Sequence, residues 1–512
     1  MARDSARQGK EIELKLEFDP ADAARIASHP ALQAGLVQQD KQRLVSSYFD
    51  TPDCALHKAG VYLRVRENGG RSVQTVKAAK SKTELMERDE WEREIAGRNP
   101  DLDGIEGTPL KPLLTPKIRS ALQPMFETRI RRHIFLVERN GSEIEVAIDR
   151  GEIATKTATK PISEVELELK RGEVKELFRL ARALAETVPL RLEVKTKAER
   201  GYELLQGEDL KIEKAAAIDI RPEMAAGDAF RAVARNCLRQ IIANEPAMRA
   251  GRAEGLHQMR IGLRRLRACI AVFANILGGE EEEKIKAELK WITRELGPAR
   301  DLDVFAAEVL EPLRKSHPKD ADLARTHRKF QARRKRAYRR AASSVGSDRF
   351  RNTVLDLVEW VEVGEWTLAG GKDRQTLRSR AVAEHADEEL RRLRKRVKRK
   401  GATLRDLSVQ QRHKLRIRAK RLRYATEFFA ATFPGAERAK LRQESLAALK
   451  EMQDALGGLN DLATRHVLIA DGLQADGKAV VAANVPATEA ALLAKADQAF
   501  ARFAATKAFW KA

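Results

Sequence analysis

Cysteine is scarce in this chain. Cys54, Cys237 and Cys269 are the three it has in 512 residues, far apart and without CxxC spacing. That excludes a disulfide framework and offers no zinc site, so buried apolar filler is their expected role. Long apolar runs are missing too: nowhere do ~18 uncharged apolar residues follow one another, and MARDSARQGKEIELK lacks the apolar core of a signal peptide. The protein is therefore expected to be cytoplasmic, with no membrane partner. Aromatic residues make up 5% of the chain, too few in its basic half to interleave as base-stacking platforms. At 43% hydrophobic, the chain still has ample material for packed cores.

Charge is abundant, and its distribution is uneven. Residues 1–210 hold 36 Lys+Arg and 36 Asp+Glu, leaving 97−36 = 61 basic and 75−36 = 39 acidic residues beyond them. The whole net charge of +22 sits in the second part. Two modules with different electrostatic tasks follow, the second suited to a polyanion.

Through residue 205 the apolar pattern has period two, and charges alternate with it. EIELKLEF sets Glu11, Glu13, Lys15 and Glu17 on one face; VYLRVRE contributes Arg64 and Arg66, and SVQTVK Lys77. RDEWERE adds Glu90, Glu92 and Glu94, TRIRRHIFLV Arg129 and Arg131, EIEVAID Asp149, and SEVELELK Glu164, Glu166 and Glu168. With QRLVSSYFD at 42–50 these make about eight strands, interrupted by helical segments near 20–34, 112–124 and 173–187. A one-sided antiparallel sheet would scatter such charges at random. Here acids gather on the first, fifth and eighth strands and bases on the third, fourth and sixth, which favours a barrel with a polar interior. Carboxylates facing arginines and lysines suit a condensed phosphate bound with Mg²⁺ or Mn²⁺. His29, His57 and His133 fall outside the alternation and read as surface histidines.

The succession of ExExK at 11–15, LRVR, TVK, TRIRR, AIDRG, ELELK and TKAERGY resembles the CYTH domain of the triphosphate tunnel metalloenzymes over about 200 residues. The resemblance implies an eight-stranded antiparallel tunnel, divalent-metal dependence and hydrolysis of inorganic tripolyphosphate, with thiamine triphosphatase and adenylate cyclase as the activities of relatives. It assigns Glu11, Glu13, Glu166 and Glu168 to the metal, with Asp149 near it. Lys15, Arg64, Arg66, Lys77, Arg129 and Arg131 fall to the phosphate wall, and Lys197 to the family's late lysine. Thr196 replaces a frequent serine and keeps the hydroxyl. Glu92 and Glu164 share the right faces, where a salt bridge to a wall arginine would equally account for them.

Residues 206–222 lose the strand pattern, end in proline and read as a linker. Beyond 223 the 3.6-residue period dominates and the chain is expected to be all-helical. In HQMRIGLRRLR, His257, Arg260, Arg264 and Arg267 share one sector of the helix, while Met259, Leu263, Leu266, Ile270 and Phe273 fill another. HKLRIRAKRLR repeats the row as His413, Arg416, Lys420 and Arg423, 413−257 = 156 residues later. LKWITRELGPARDLDV and LKEMQDALGGLNDLAT form a second echo, with Gly297 and Gly457 in register. A duplicated unit implies pseudo-symmetry, with the two rows lining a common groove. The runs RRKRAYRR and RRLRKRVKRK are explained as well by solvated helix faces as by anion binding.

These paired phrases are similar to the CHAD domain, a helical module found joined to CYTH domains. The resemblance implies binding of long-chain inorganic polyphosphate along the two basic rows, and hence association with polyphosphate granules. The reading is thus of an α+β protein: a CYTH-like tunnel at 1–205, a linker at 206–222 and a CHAD-like domain of two duplicated helical bundles at 223–512. A nucleic-acid-binding protein is the competing class. The basic half shows no groove-reading module, so no specific nucleic-acid partner is expected, only salt-sensitive attraction.

Overall fold

Nine antiparallel strands form one sheet: β1 (Arg7–Glu17), β2 (Leu36–Asp50), β3 (Val61–Asn68), β4 (Arg71–Ala78), β5 (Glu87–Ile95), β6 (Gln123–Arg139), β7 (Ser142–Ala154), β8 (Thr159–Arg171) and β9 (Arg191–Leu192). The computed structural model describes residues 7–78, 85–208, 210–470 and 485–511; the side chains of 7–11, 87–88, 460–470 and 485–487 lie outside that description. The described residues fall into two units. The first takes in the chain to Ala216 with Leu238–Ala250 and Val345–Val363. The second takes in Ala217–Cys237, Gly251–Ser344 and the chain from Gly364.

In the first unit the strand order is β5-β4-β3-β2-β6-β7-β8-β1, and β1 pairs back to β5, so eight strands close on themselves. The ninth, two residues long, pairs with Leu16 and Glu17 at the end of β1 and was not foreseen. Closure depends on β1 changing partner along its length: Arg7–Ile12 faces β5, whereas Glu13–Glu17 faces β8. Such a stagger lets a sheet curl without leaving an edge.

The barrel is polar inside and apolar outside. Phe49, Leu56, Val61, Leu63, Val65 and Val76 form an outer core covered by Ile105 and Leu110. Elsewhere Phe135, Val137, Val146 and Leu167 are buried on the outward face, near helix α1 (Val174–Ala185), which packs on β8 and β1. Each such side chain is worth roughly 1.5–3 kcal/mol when fully buried. One end of the interior is apolar instead: Leu44, Tyr48, Phe126, Ile130, Ile153 and Ile162 pack against Ala198 and Tyr202 of helix α2 (Lys197–Leu205). A Cβ on Gly201 would lie 2.1 Å from the Phe126 ring, so α2 seats this closely because that position is glycine.

The second unit is helical. Its main elements are α3 (Ala226–Ile242, whose last turn belongs to the first unit), α4 (Ala253–Val272), α5 (Glu280–Glu295), α6 (Gly297–Phe305) and α7 (Ala321–Val345). After α8 (Asp348–Val363, in the first unit) come α9 (Val382–Gly401), α10 (Val409–Phe428), α11 (Ala436–Ala470) and α12 (Val485–Ala505). The sequence echo is a structural duplication. The amide of Ala226 donates to Arg380 O at 2.9 Å and that of Val382 to Met224 O at 2.7 Å; 382−226 and 380−224 are both 156, so equivalent residues exchange equivalent bonds. Phe273 and Phe429, again 156 apart, end the two basic helices and meet edge-on at 5.7 Å. No helix among the described residues is long and apolar enough to cross a membrane.

Candidate functional site

A cavity of about 710 Å³ occupies the barrel. Antiparallel partners share a face, so the register states what lines it. Glu13, Glu168 and Glu145 form one row, Lys15 and Glu166 the next, and Glu17, Glu164 and Asp149 a third. Across the barrel, Arg66, Arg64 with Thr75, and Tyr62 with Lys77 form the facing rows. Acids and bases therefore look at each other through one enclosed space. Glu11 lies next on β1, with its side chain outside the described residues.

The innermost group is Asp149, Glu164 and Glu166, which offer three carboxylate oxygens within 4.8 Å of one another, a spacing that could hold a metal. Lys197 sits among them, with Nζ 2.8 Å from Asp149 and 2.9 Å from Glu166 and in contact with Glu164. Arg132 donates Nε and Nη2 to the two oxygens of Asp149, each at 2.7 Å, and Nη2 to Glu166 at 2.6 Å. Arg200 bonds Glu164. Three negative charges thus meet three positive ones. Burial alone would raise the Glu164 and Glu166 pKa values, but Arg200 and Lys197 outweigh it for Glu164, and Lys197, Lys15 and Arg132 for Glu166, so both lie below the carboxylate range. Burial would likewise depress Lys197, and its three carboxylates hold it above the usual lysine range.

The row nearer Glu13 is less balanced. Lys15 bonds Glu13 and lies 3.5 Å from Glu166. Lys170 lies 2.7 Å from Glu168 and 3.6 Å from Glu145. Burial raises the Glu168 pKa; Lys170 opposes this, while Glu145 and Glu13 add to it. Opposite, Arg64 reaches Thr75 at 3.0 Å and Glu90 at 3.3 Å, Arg66 reaches Glu92 at 3.2 Å, and Lys77 reaches Glu90 at 2.9 Å.

Two expected wall residues are elsewhere. Arg129 and Arg131 are exposed on the outer face of β6, Arg129 pairing with Glu127 at 3.2 Å and Glu152 at 3.4 Å. The inward side chains of that strand are Thr128, Ile130 and Arg132. TRIRR offers arginines to both faces, and because one end of the interior is apolar, polarity could not choose between them. His57 lines the cavity instead of the surface, stacked on Tyr202 with centroids 4.0 Å apart. His29 is buried, its Nδ1 accepting from the amide of Ala31 to cap a short helix; His133 is half-buried against Phe135.

Lys197 is placed by its helix. Thr196 and Glu199 close a reciprocal capping box around the first turn of α2, and the Tyr202 hydroxyl donates to buried Asp50 at 2.8 Å. Arg239, from the Leu238–Ala250 segment, is buried, donates to Val194 O at 2.9 Å and bonds the Glu199 carboxylate. Arg132, Arg200, Glu145, Lys170 and Arg239 were not singled out from sequence. Arg200 lay within TKAERGY, but nothing in the local pattern signals Arg239.

On the helical unit, Met259, Leu263, Leu266, Ile270 and Phe273 are buried, as are Leu415, Ala419, Leu422, Thr426 and Phe429. The basic rows lie off these stripes: His257, Arg260 and Arg264 half-buried and Arg267 exposed; His413 exposed and Arg416, Lys420 and Arg423 half-buried. Helices α4 and α10 pack on each other. Arg260 donates to Thr293 O at 3.1 Å, and Arg423 to Gln453 at 3.2 Å and Glu427 at 2.6 Å. The glycine echo now has a reason: Arg260 lies over Gly297, and a Cβ on Gly457 would come 2.9 Å from Arg416 Nη2. Burial and then Arg300, a neighbour of the first row, depress the His257 pKa. His385 is fully buried, stacked on Phe273 at 4.7 Å.

Residues 9–202 match the CYTH domain family and residues 232–470 the CHAD domain family. An inorganic triphosphatase of Haemophilus influenzae is 33% identical over 202 residues, 38% of this chain and 54% of the relative. The chain thus spans about half the length of that curated relative. Among solved structures, the CHAD domain of Ricinus communis is 28% identical, covering 58% of this chain and 98% of that one, with a TM-score of 0.46. A Hippeastrum protein described as having a dominant triphosphatase activity is 18% identical, covering 38% and 95%, with a TM-score of 0.30.

Proposed function

Because this chain carries a CYTH domain followed by a CHAD domain, we propose that its tunnel hydrolyses inorganic tripolyphosphate to pyrophosphate and phosphate, and that its helical unit binds inorganic polyphosphate. The observation that carries the first part is the enclosed meeting of Arg64, Arg66, Lys77 and Arg132 with Glu13, Glu166 and Glu168. Tripolyphosphate repels an approaching water through its own charge. The arginine forks and lysines offset that charge and hold the chain in line, so that water attacks a terminal phosphorus, the bridging P–O bond breaks and pyrophosphate leaves.

The residues present fit a divalent cation. Glu13, Glu166 and Glu168, with Glu11 next on the strand, are hard oxygen donors, and the crowding that raises Glu168 is of the kind a cation relieves. Mg²⁺ or Mn²⁺ held there would supply charge neutralisation at phosphate oxygens. Asp149 and Glu164, already matched by Lys197, Arg132 and Arg200, act to aim those cations. The experiment is phosphate release from tripolyphosphate, ATP and thiamine triphosphate with Mg²⁺, Mn²⁺ or EDTA. Metal-dependent release fastest from tripolyphosphate supports the reading.

The duplicated rows support the second part, since a flexible phosphate chain needs many guanidinium and ammonium partners at once. Such binding would carry the protein to polyphosphate granules in the cytoplasm.

A further inference from the structure

The duplication supplies an internal control for one arginine. Buried positions of α3 and α9 coincide at an offset of 156: Ala226, Ala229, Phe230, Val233, Ala234 and Cys237 correspond to Val382, His385, Ala386, Glu389, Leu390 and Leu393. At that offset Arg265 of α4 corresponds to Arg421 of α10.

In the first copy Arg265 is buried, donates Nη2 to Asn236 Oδ1 at 2.8 Å and lies over the Phe428 ring. In the second, the α9 positions equivalent to Asn236 and Gln240 are Arg392 and Arg396, and the position equivalent to Gly262 is Arg418. Two amides and a glycine have become three arginines. Arg392 is engaged with Glu389; Arg396, Arg418 and Arg421 make no hydrogen bond or ion pair among the described residues. Burial first, and then Arg392 and Arg396, hold Arg421 below the ordinary guanidinium range, with Glu389 opposing and Arg418 adding. Three guanidiniums and one carboxylate thus act on Arg421, from helices α9 and α10 that pack on each other. Arg418 and Arg421 lie roughly 180° and roughly 120° round α10 from the centre of the His413–Arg416–Lys420–Arg423 row, so this is a separate face. Packing does not require the charge, since the first copy fills the equivalent place with amides.

We infer that Arg392, Arg396, Arg418 and Arg421 form a second anion site, built for the phosphoryl group of a free or condensed phosphate. Guanidinium forks match phosphate oxygens, and one bound dianion would convert mutual repulsion into charge-assisted bonds. The inference takes from the proposed function only the choice of probe.

The test uses the full chain, with inorganic phosphate and tripolyphosphate as separate probes at matched ionic strength. Amide hydrogen exchange is followed in peptides from α9, which carries no part of either row. Arg392→Asn gives Arg421 the acceptor that Arg265 has, and Arg421→Gln removes the central charge. In the parent chain either probe slows α9 exchange; inorganic phosphate acting alone identifies a free-phosphate site, and tripolyphosphate acting alone a condensed-phosphate site. In both variants the concentration of the active probe for half-maximal slowing rises about tenfold, while ligand-free Arg392→Asn unfolds at a higher temperature than the parent. Unchanged slowing in both variants, or no slowing in the parent, overturns the site. Slowing that disappears in an Arg264→Glu, Arg416→Glu chain assigns the effect to the rows and also overturns it. Loss of polyphosphate retention in that chain tests the rows independently.

Discussion

Arg132 grips both oxygens of Asp149 at 2.7 Å from the strand next to it, and it takes the inward place on β6 that the sequence reading had given to Arg129 and Arg131. The tunnel wall is therefore one residue out of step with the pattern on β6, and substitution can show it. Arg132→Gln should lower tripolyphosphate turnover about 100-fold, the scale of losing one aimed electrostatic donor. Arg129→Gln and Arg131→Gln, on the outer face, should stay within a factor of two or so. Steady-state phosphate release compares the three.

Lys197 depends on a residue well beyond its own domain match. Removing the Arg239 guanidinium takes one partner from Glu199, whose other oxygen caps the Thr196 amide, and loosens the first turn of α2, on which Lys197 is the first residue. Arg239→Gln should lower kcat/KM about tenfold, Arg239→Lys should recover part of it, and Arg239→Gln should add little in a Lys197→Ala background. Full additivity of the two changes would show that Arg239 does not act through Lys197.

The closed barrel and the duplication were legible in the sequence because each rests on a repeated local pattern. Charges at alternate positions of ELK at 13–15, LRVR and VELELK fall inside, and the His-x-x-Arg rows recur with their apolar stripes. Facing was legible only where one side of a strand was consistently apolar. TRIRR had no such contrast. His57 was missed for a different reason: it reaches the cavity from a short helix and is held there by stacking on Tyr202, a partner 145 residues away (202−57 = 145). Arg239 and the Arg421 cluster depend on tertiary packing alone.

Burial lowers the His385 pKa to about 4 from 6.5, with Arg380 adding to the effect. The unfolded chain takes up this proton below pH 6.5, whereas the folded chain resists it until about pH 4. The stability is therefore complete above pH 6.5 and is lost as pH falls toward 4. The window corresponds to about 3 kcal/mol. Denaturant midpoints between pH 7.5 and 4.5 should shift less in His385→Gln than in the parent chain.

On the helical unit, Arg264→Glu with Arg416→Glu should abolish retention on immobilised polyphosphate and leave tripolyphosphate turnover within about twofold. Retention in the parent should fall steeply with salt, as expected for a polyanion held by several cations. Undiminished retention in the double variant would reject the rows as the binding surface.

The most direct measurement is the metal dependence of tripolyphosphate hydrolysis in the parent chain and in Glu13→Gln and Glu168→Gln. The account predicts activity that EDTA abolishes and Mg²⁺ or Mn²⁺ restores. In each variant the metal concentration for half-maximal rate should rise at least about tenfold, the loss of one charged ligand. Hydrolysis that survives EDTA, or a metal requirement unchanged in both variants, would contradict it.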